Sequence, residues 1–291
     1  MLMEDITAAD SRGYTKTPRK RSRRVVLTAA KGTLVRFFLL SAFASCLCQA
    51  VEAQETAQSE PPTRAAMINP KAKELLDKCI QALGGDAFLR FKTLTTRGRT
   101  FAIEDEQTAG LAPFESFVLY PDKRRFSYGK KKPVILINDG DKQWELDKYG
   151  MTDQTPQQIR RWKVTNHYSL ENLLRVRVRE PGILVQDGGV DFVNNLPARV
   201  LDIVDAQHVQ IKLFINRTTF LPVQVSYTVQ NPQAGEPDDF ADIYGDYQPV
   251  RGIQTPMHIS RFLNSERVGE IFRNSAQYDQ SYPPDYFRPT R

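Results

Sequence analysis

The sequence predicts a mainly β protein with few helices (α+β), built on a single large, strongly curved antiparallel sheet. Three observations lead there. From Lys92 onward, apolar residues recur at every second position through most of the chain. Only two stretches carry helical spacing, and they do not alternate with the strands, which excludes a doubly wound parallel sheet. The clearest hairpin sets Val209, Ile211, Leu213 and Ile215 against Val223, Val225, Tyr227 and Val229 across an Asn216-Arg217-Thr218-Thr219 turn. Polar residues occupy the positions between them, so one face of that hairpin is buried and the other is largely wet.

The N-terminus reads as an address. Of the 40 Lys and Arg and 34 Asp and Glu that set the net charge of +6, residues 1–53 hold nine basic and four acidic ones. The remainder, 54–291, is nearly neutral with 31 against 30, so no general field for a polyanion such as nucleic acid is implied. The basic cluster 19–24 is followed by an apolar stretch over 37–51 and a Val51-Glu52-Ala53 site. These are the parts of a cleaved secretory signal. The stretch is shorter than the roughly 20 apolar residues that span a bilayer. Two variants of the address are legible: Phe43-Ala44-Ser45-Cys46 resembles a lipobox that would anchor Cys46 to lipid, and Ser22-Arg23-Arg24 resembles a twin-arginine signal. Each leads out of the cytoplasm, to the periplasm. After cleavage only Cys79 remains of three cysteines, so the exported domain forms no internal disulfide.

The expected domains are a signal over 1–53, a flexible polar leader over 54–68 and a single domain over 69–291. The first helix starts at the cap Asn69 with Pro70 behind it and stops at Gly84-Gly85. Leu75, Leu76, Cys79, Ile80 and Leu83 form its apolar stripe, which makes Cys79 a core residue rather than a reactive thiol. Strands are expected over 93–103, 114–120, 123–128, 133–138, 143–147, 183–187, 190–204, 207–216, 220–229, 239–247, 253–263 and 267–278. Asn138-Asp139-Gly140-Asp141 marks a tight turn. One helical excursion interrupts them: a capping box at Thr155-Pro156-Gln157-Gln158, a second piece opened by Ser169, and a stop at Glu180-Pro181-Gly182.

Signals for catalysis or metal are sparse. His167, His208 and His258 have no Cys or carboxylate at ligand spacing, and no nucleophile elbow, phosphate loop, dinucleotide fingerprint or zinc-protease motif occurs. No cofactor and no metal are expected. Glu236, Asp238, Asp239 and Asp242 match no calcium loop and read as a solvated turn. Lys130-Lys131-Lys132, Lys123-Arg124-Arg125 and the alternating Arg175, Arg177 and Arg179 read first as a solvated rim, with contact to anionic headgroups as the alternative. Large apolar side chains on otherwise polar strand faces are more suggestive. Phe214 shares a face with His208, Gln210 and Lys212, Phe262 with His258 and Ser260, and strand 134–137 is apolar on both faces. A sheet apolar on both sides covers its second face with helices or leaves a lumen.

Several local phrases resemble one family in order along the chain. Tyr120-Pro121-Asp122-Lys123-Arg124-Arg125-Phe126, followed by Gly140-Asp141-Lys142-Gln143-Trp144-Glu145, is similar to the middle strands of the LolA/LolB-type outer-membrane lipoprotein-sorting proteins. Asn216-Arg217-Thr218-Thr219-Phe220-Leu221-Pro222-Val223 and Pro249-Val250-Arg251-Gly252-Ile253-Gln254-Thr255-Pro256 resemble two of that superfamily's later hairpin entries. Ala82-Leu83-Gly84-Gly85 resembles the opening of its uncharacterised, acidobacterial-type exported members, and the likeness runs over about 70–290. The resemblance implies a half-open barrel whose concave face is plugged by helices, holding acyl chains, with no catalysis. It singles out no lumen arginine, since Arg97 and Arg99 both lie on the first strand, and this chain has a longer leader and helical insertion than the compact carriers.

Composition, address and resemblance together lead to a non-enzymatic periplasmic carrier or sensor for a lipid or acylated protein, acting as a monomer near envelope membrane proteins. Aromatic size and strand position nominate Phe101, Phe117, Phe126, Trp144, Phe214, Tyr227 and Phe262 as lumen residues. The rival readings are an envelope-complex scaffold with a filled cavity, and an exported hydrolase built around one of the three histidines beside Ser and Asp.

Overall fold

A computed structural model describes residues 65–289; the expected signal, Cys46 and most of the leader lie outside them. The chain opens with β1 (Met67–Ile68), α1 (Pro70–Leu83) and α2 (Asp86–Arg90). Six strands follow in sequence: β2 (Thr93–Glu104), β3 (Gln107–Leu119), β4 (Lys123–Tyr128), β5 (Val134–Asp139), β6 (Lys142–Asp147) and β7 (Gly150–Asp153). The insertion contributes α3 (Pro156–His167), α4 (Leu170–Arg175) and a 3₁₀ turn (Arg177–Arg179). The rest is β8 (Leu184–Val193), β9 (Leu196–Val204), β10 (Gln210–Asn216), β11 (Pro222–Gln230), β12 (Pro237–Val250), β13 (Ile253–Leu263) and β14 (Glu266–Tyr278).

All 14 strands form one sheet in the order β1-β8-β9-β10-β11-β12-β13-β14-β2-β3-β4-β5-β6-β7. Two antiparallel meanders are stitched together where β14 lies against β2, from Gly269 opposite Ala102 to Tyr278 opposite Leu94. The two-residue β1 pairs in parallel with β8, within the stretch expected as leader. The sheet is curved and unclosed, as expected, with β1 at one edge and β7 at the other.

Hairpin chemistry explains where the strand expectations needed correction. Asn194 and Asn195 both have positive φ, 48° and 63°, the backbone of a two-residue type I′ turn. They split the expected strand 190–204 into β8 and β9. Asp105 and Glu106 turn in the same way, with φ of 48° and 61°, so β3 begins at Gln107 rather than 114. Neither pair carries the Gly that makes such a turn stand out in a sequence. The short β7 carries no apolar alternation and was not expected.

The helices cap as predicted. Asn69 accepts from the Lys71 amide at 2.9 Å, and Thr155 with Gln158 completes a reciprocal capping box. Gly84 ends α1 at φ +125°, and a Cβ there would meet the Gly252 carbonyl oxygen at 2.5 Å, so only glycine fits. The stripe of α1 packs on the same sheet face as Leu201, Ile203, Ile211, Leu213 and Val225. Leu170, Leu173 and Leu174 of α4 join that core. Cys79 is fully buried within it, and burial pushes its thiol far above the ordinary range.

The other face of the sheet has its own small cluster of Val193, Ala198, Val200 and Phe214. It is also crossed by the C-terminal segment: Tyr282 and Tyr286 pack edge-on against Phe117 at 5.6 and 5.1 Å between ring centroids. A sheet apolar on both faces is therefore satisfied from both sides, by helices on one and by side-chain clusters and the tail on the other.

Candidate functional site

The helix layer does not fill the helix-covered face completely. Between β2–β5, the adjoining strands β13 and β14, and the α3–α4 insertion lies a cavity of about 120 Å³. Its floor is apolar, from Leu94, Phe114, Phe126, Leu136 and Ile271, and its roof includes Trp162, Thr165 and Asn166 of α3. Three arginines and one glutamate share this space: Arg124 of β4, Arg261 of β13, Arg273 of β14 and Glu171 of α4.

Strand alternation puts those arginines there. Phe126 and Tyr128 follow Arg124 at two-residue intervals, and all three point to the helix-covered side. Arg124 is 9% exposed, with its guanidinium 4.2 Å from the Trp162 ring centre and 5.2 Å from that of Phe126. Cation–π contact with two rings offsets part of the cost of burying a charge. This corrects the expected solvated rim at 123–125. Arg175 is half-buried: it stacks at 3.9 Å on Phe91 and 4.9 Å on Tyr120. Arg261 faces Asp242 at 3.6 Å, and Arg273 donates from Nη1 to the Pro256 carbonyl at 2.9 Å. Burial pushes the Asp242 carboxyl above its ordinary value, and Arg261 and then Arg273 pull it back.

The insertion is fastened across the opening of the sheet at both sides. Arg160 of α3 reaches Asp238 of β12 at 2.8 Å and the Gln230 carbonyl at 3.0 Å. On the far side Gln158 donates to Glu145 of β6 at 3.0 Å and Lys163 to Asp141 at 2.6 Å. Between them Asn166 and Asn172 both donate to the Pro121 carbonyl at 2.9 Å, and Tyr168 donates to Asp205 at 2.6 Å. Burial, with Asp205 beside it, holds the Tyr168 hydroxyl protonated well above its ordinary pKa. The acidic run expected as a solvated turn is thus partly structural: Asp238 clasps α3 and Asp242 faces Arg261.

The seven nominated aromatics separate onto two faces. Phe126 lines the cavity, and Tyr227 shares its face, stacked between Tyr168 at 4.7 Å and Phe240 at 5.1 Å. Phe117 stands in an outer row with Arg125, Ile137 and Trp144. Phe214 belongs to the outer cluster, Phe101 packs on Phe272 at 5.6 Å beside an outer groove, and Phe262 lines another outer groove. The parity reasoning grouped Phe214 and Phe262 correctly with their polar neighbours, but that shared face is the outer one. Arg97 and Arg99 are outer as well, Arg97 in an ion pair with Glu115. Trp162, Arg261 and Arg273 carried no sequence signal of their own, whereas the Arg124-x-Phe126-x-Tyr128 alternation could have marked Arg124.

The histidines do not converge. His167 ends α3 against Tyr168, with its pKa lowered chiefly by burial, and His208 is an exposed turn residue. His258 lies near Ser260, yet both bond to the carboxylate of Glu270, Ser260 at 2.9 Å, instead of to each other. A nucleophile needs its base within reach of its own proton, and this pair is not so arranged. Among the described residues no group of three or more His, Cys, Asp or Glu could hold a metal ion, and no helix is long and apolar enough to cross a membrane.

These features define a class: an open antiparallel half-barrel whose helices cover, and nearly fill, a cavity on one face. No protein-family model matches the chain, and no curated protein matches it by sequence. Among solved structures it is similar to a DUF1329 family protein from Desulfovibrio piger, with a TM-score of 0.50 and 9% identity over 75% of this chain and 97% of that one. It is also similar to a putative outer-membrane lipoprotein-sorting protein domain from Vibrio parahaemolyticus, at 0.47 and 8%, and to a LolA superfamily protein from Nitrosomonas europaea, at 0.46 and 13%, over the same shares. At these identities the likeness bears on the fold alone.

Proposed function

We propose that this chain is a non-catalytic periplasmic carrier or sensor that takes an acylated ligand between its sheet and its helix layer. The observation that carries this reading is the cavity itself: an apolar floor with a polar corner, roofed by α3, which buries Trp162 and is otherwise tied to the sheet by separable polar contacts. Its volume of about 120 Å³ is below the roughly 300 Å³ of small-molecule pockets, so uptake requires α3 to move as a lid while α1 and α4 stay packed in the core. Transfer of a long acyl chain from water at about 0.8 kcal/mol per CH₂ supplies on the order of 10 kcal/mol. Freeing α3 breaks the charge-assisted bonds of Arg160 and Gln158, about 2 kcal/mol each, and the exposed Lys163 pair, about 0–1 kcal/mol, so the chain can outweigh them.

The small volume also favours a second reading, a scaffold module of an envelope complex whose cavity stays filled. Mass spectrometry of organic extracts of residues 54–291, purified gently from the native envelope, separates the two. A stoichiometric lipid or acylated peptide is expected. A protein that carries none and does not respond to added fatty-acyl probes would overturn the carrier reading in favour of the scaffold.

A further inference from the structure

Three arginines line the cavity: Arg124, Arg261 and Arg273. They face two carboxylates: Glu171, which lines the same space, and Asp242, which stands 3.6 Å from Arg261. Three against two leaves a positive excess in a half-open cavity. Arg273 gives Nη1 to the Pro256 carbonyl at 2.9 Å, but its Nε is buried without a hydrogen-bond partner. A buried charged donor lacking an acceptor is costly to maintain for packing alone. The aromatic pair around Arg124 shows the same economy of design: it fixes that guanidinium in orientation at the cavity wall.

The cavity's size fits a group rather than a chain. About 120 Å³ corresponds to roughly four waters at about 30 Å³ each, enough for a carboxylate or a phosphate but not for an acyl tail. Arginine's planar fork suits both anions through paired N–H···O bonds. We infer that the cavity is a headgroup site for an anionic oxygen group, carboxylate or phosphate, and that the ligand is therefore an anionic amphiphile. Its chain runs over the floor of Leu94, Phe126 and Leu136 once α3 lifts. This inference rests on the carrier reading and narrows it, from any acylated ligand to those with a negative head.

The test uses Trp162, one of only two tryptophans, as the reporter after Trp144→Phe. Residues 54–291 are titrated with palmitoyl lysophosphatidate, with monopalmitoylglycerol (the same chain on a neutral head) and with inorganic phosphate. Lysophosphatidate is expected to bind at least tenfold more tightly than the neutral lipid. Arg273→Gln should erase that preference and Arg273→Lys retain most of it, with melting curves checking that each variant folds. The wild-type comparison decides even where a variant does not. Equal binding of the two lipids overturns the headgroup site and leaves the carrier reading intact. Phosphate binding as tightly as lysophosphatidate makes the site one for a free anion and overturns the amphiphile. Binding of none of the three removes both readings.

Discussion

Removing the clasp at Arg160 should loosen α3 without unfolding the sheet. The Arg160 guanidinium holds Asp238 at 2.8 Å and the Gln230 carbonyl at 3.0 Å, and the two side chains are only 20% and 14% exposed. Hydrogen bonds to charged groups contribute about 1.5–3 kcal/mol net where solvent screening is limited. Asp238 keeps its bond from Asn231 at 2.9 Å after Arg160→Ala, so the loss falls in the lower half of that range, about 2 kcal/mol. At 1.4 kcal/mol per factor of ten, that multiplies the open population of α3 by about 30-fold. Amide hydrogen exchange reads it directly, because local opening and global unfolding are distinguished by which amides accelerate. Amides of α3 should exchange about 30-fold faster, while those of β9, β10 and β14 keep their rates. Lys163→Ala, which removes a pair 49% and 92% exposed, is the internal control and should change little. Equal acceleration of α3 and the sheet strands would mean that the insertion is part of the cooperative core and not a lid. No acceleration would mean that the clasp holds nothing.

Other consequences are measurable separately. Trp162→Ala removes a side chain that is 6% exposed and should lower stability by about 3–5 kcal/mol in denaturant titration, as a large-to-small core change does. Stability should fall as pH rises past about 10, since Tyr120, Tyr227, Tyr244 and Tyr247 are held protonated by burial and Tyr278 is pushed up to about 12. The sign follows from proton counts: above the unfolded tyrosine pKa the unfolded chain has released protons that the native one retains, so each such group costs about 1.4 kcal/mol per pH unit until its native pKa is reached. Unfolding titrations at neutral and alkaline pH check this, and a flat profile would refute it. Cys79 in residues 54–291 should resist alkylation until the protein unfolds, because its buried thiol has almost no thiolate.

The fold was legible because its two periods are clean. The alternation that pairs Ile211 with Tyr227 and Leu213 with Val225 is visible in the sequence, and so are the caps at Asn69, Thr155 and Ser169. What was not legible is which side of the sheet the helices choose. Alternation assigns residues to two faces but does not label them. Phe214 and Ile215 are each buried, 5% and 0% exposed, and only the landing of α1 on the Leu213–Ile215 side makes Phe214 an outer residue. The same ambiguity hid the arginines. On β13, Ile259 and Arg261 share the inner face and His258 and Ser260 the outer one, so the charged residue sits inside while a polar pair faces out. Register shifts between Arg261 and Phe262, and again between Arg273 and Ser275, lie beside two of the three cavity arginines. A bulge leaves one residue unpaired and re-aims its neighbours, and a single sequence marks neither position.

That arrangement argues for use over stability. A carrier that needed only an oily lumen would be served by aliphatic side chains at positions 124, 261 and 273, and replacing buried ionic groups with apolar ones of similar volume is often neutral or stabilising. Here the strands place three arginines around one small space. The rings of Trp162 and Phe126 orient one of them, and Asp242 balances another at 3.6 Å. The purely structural account therefore makes its own forecast. If these charges serve packing alone, the triple replacement Arg124→Met, Arg261→Met and Arg273→Met should fold with stability equal to or above the parent and lose no ligand. If they serve a headgroup, the same variant should fold and bind the neutral and anionic lipids alike. Retention of the anionic preference after all three changes would place the selectivity elsewhere on the molecule.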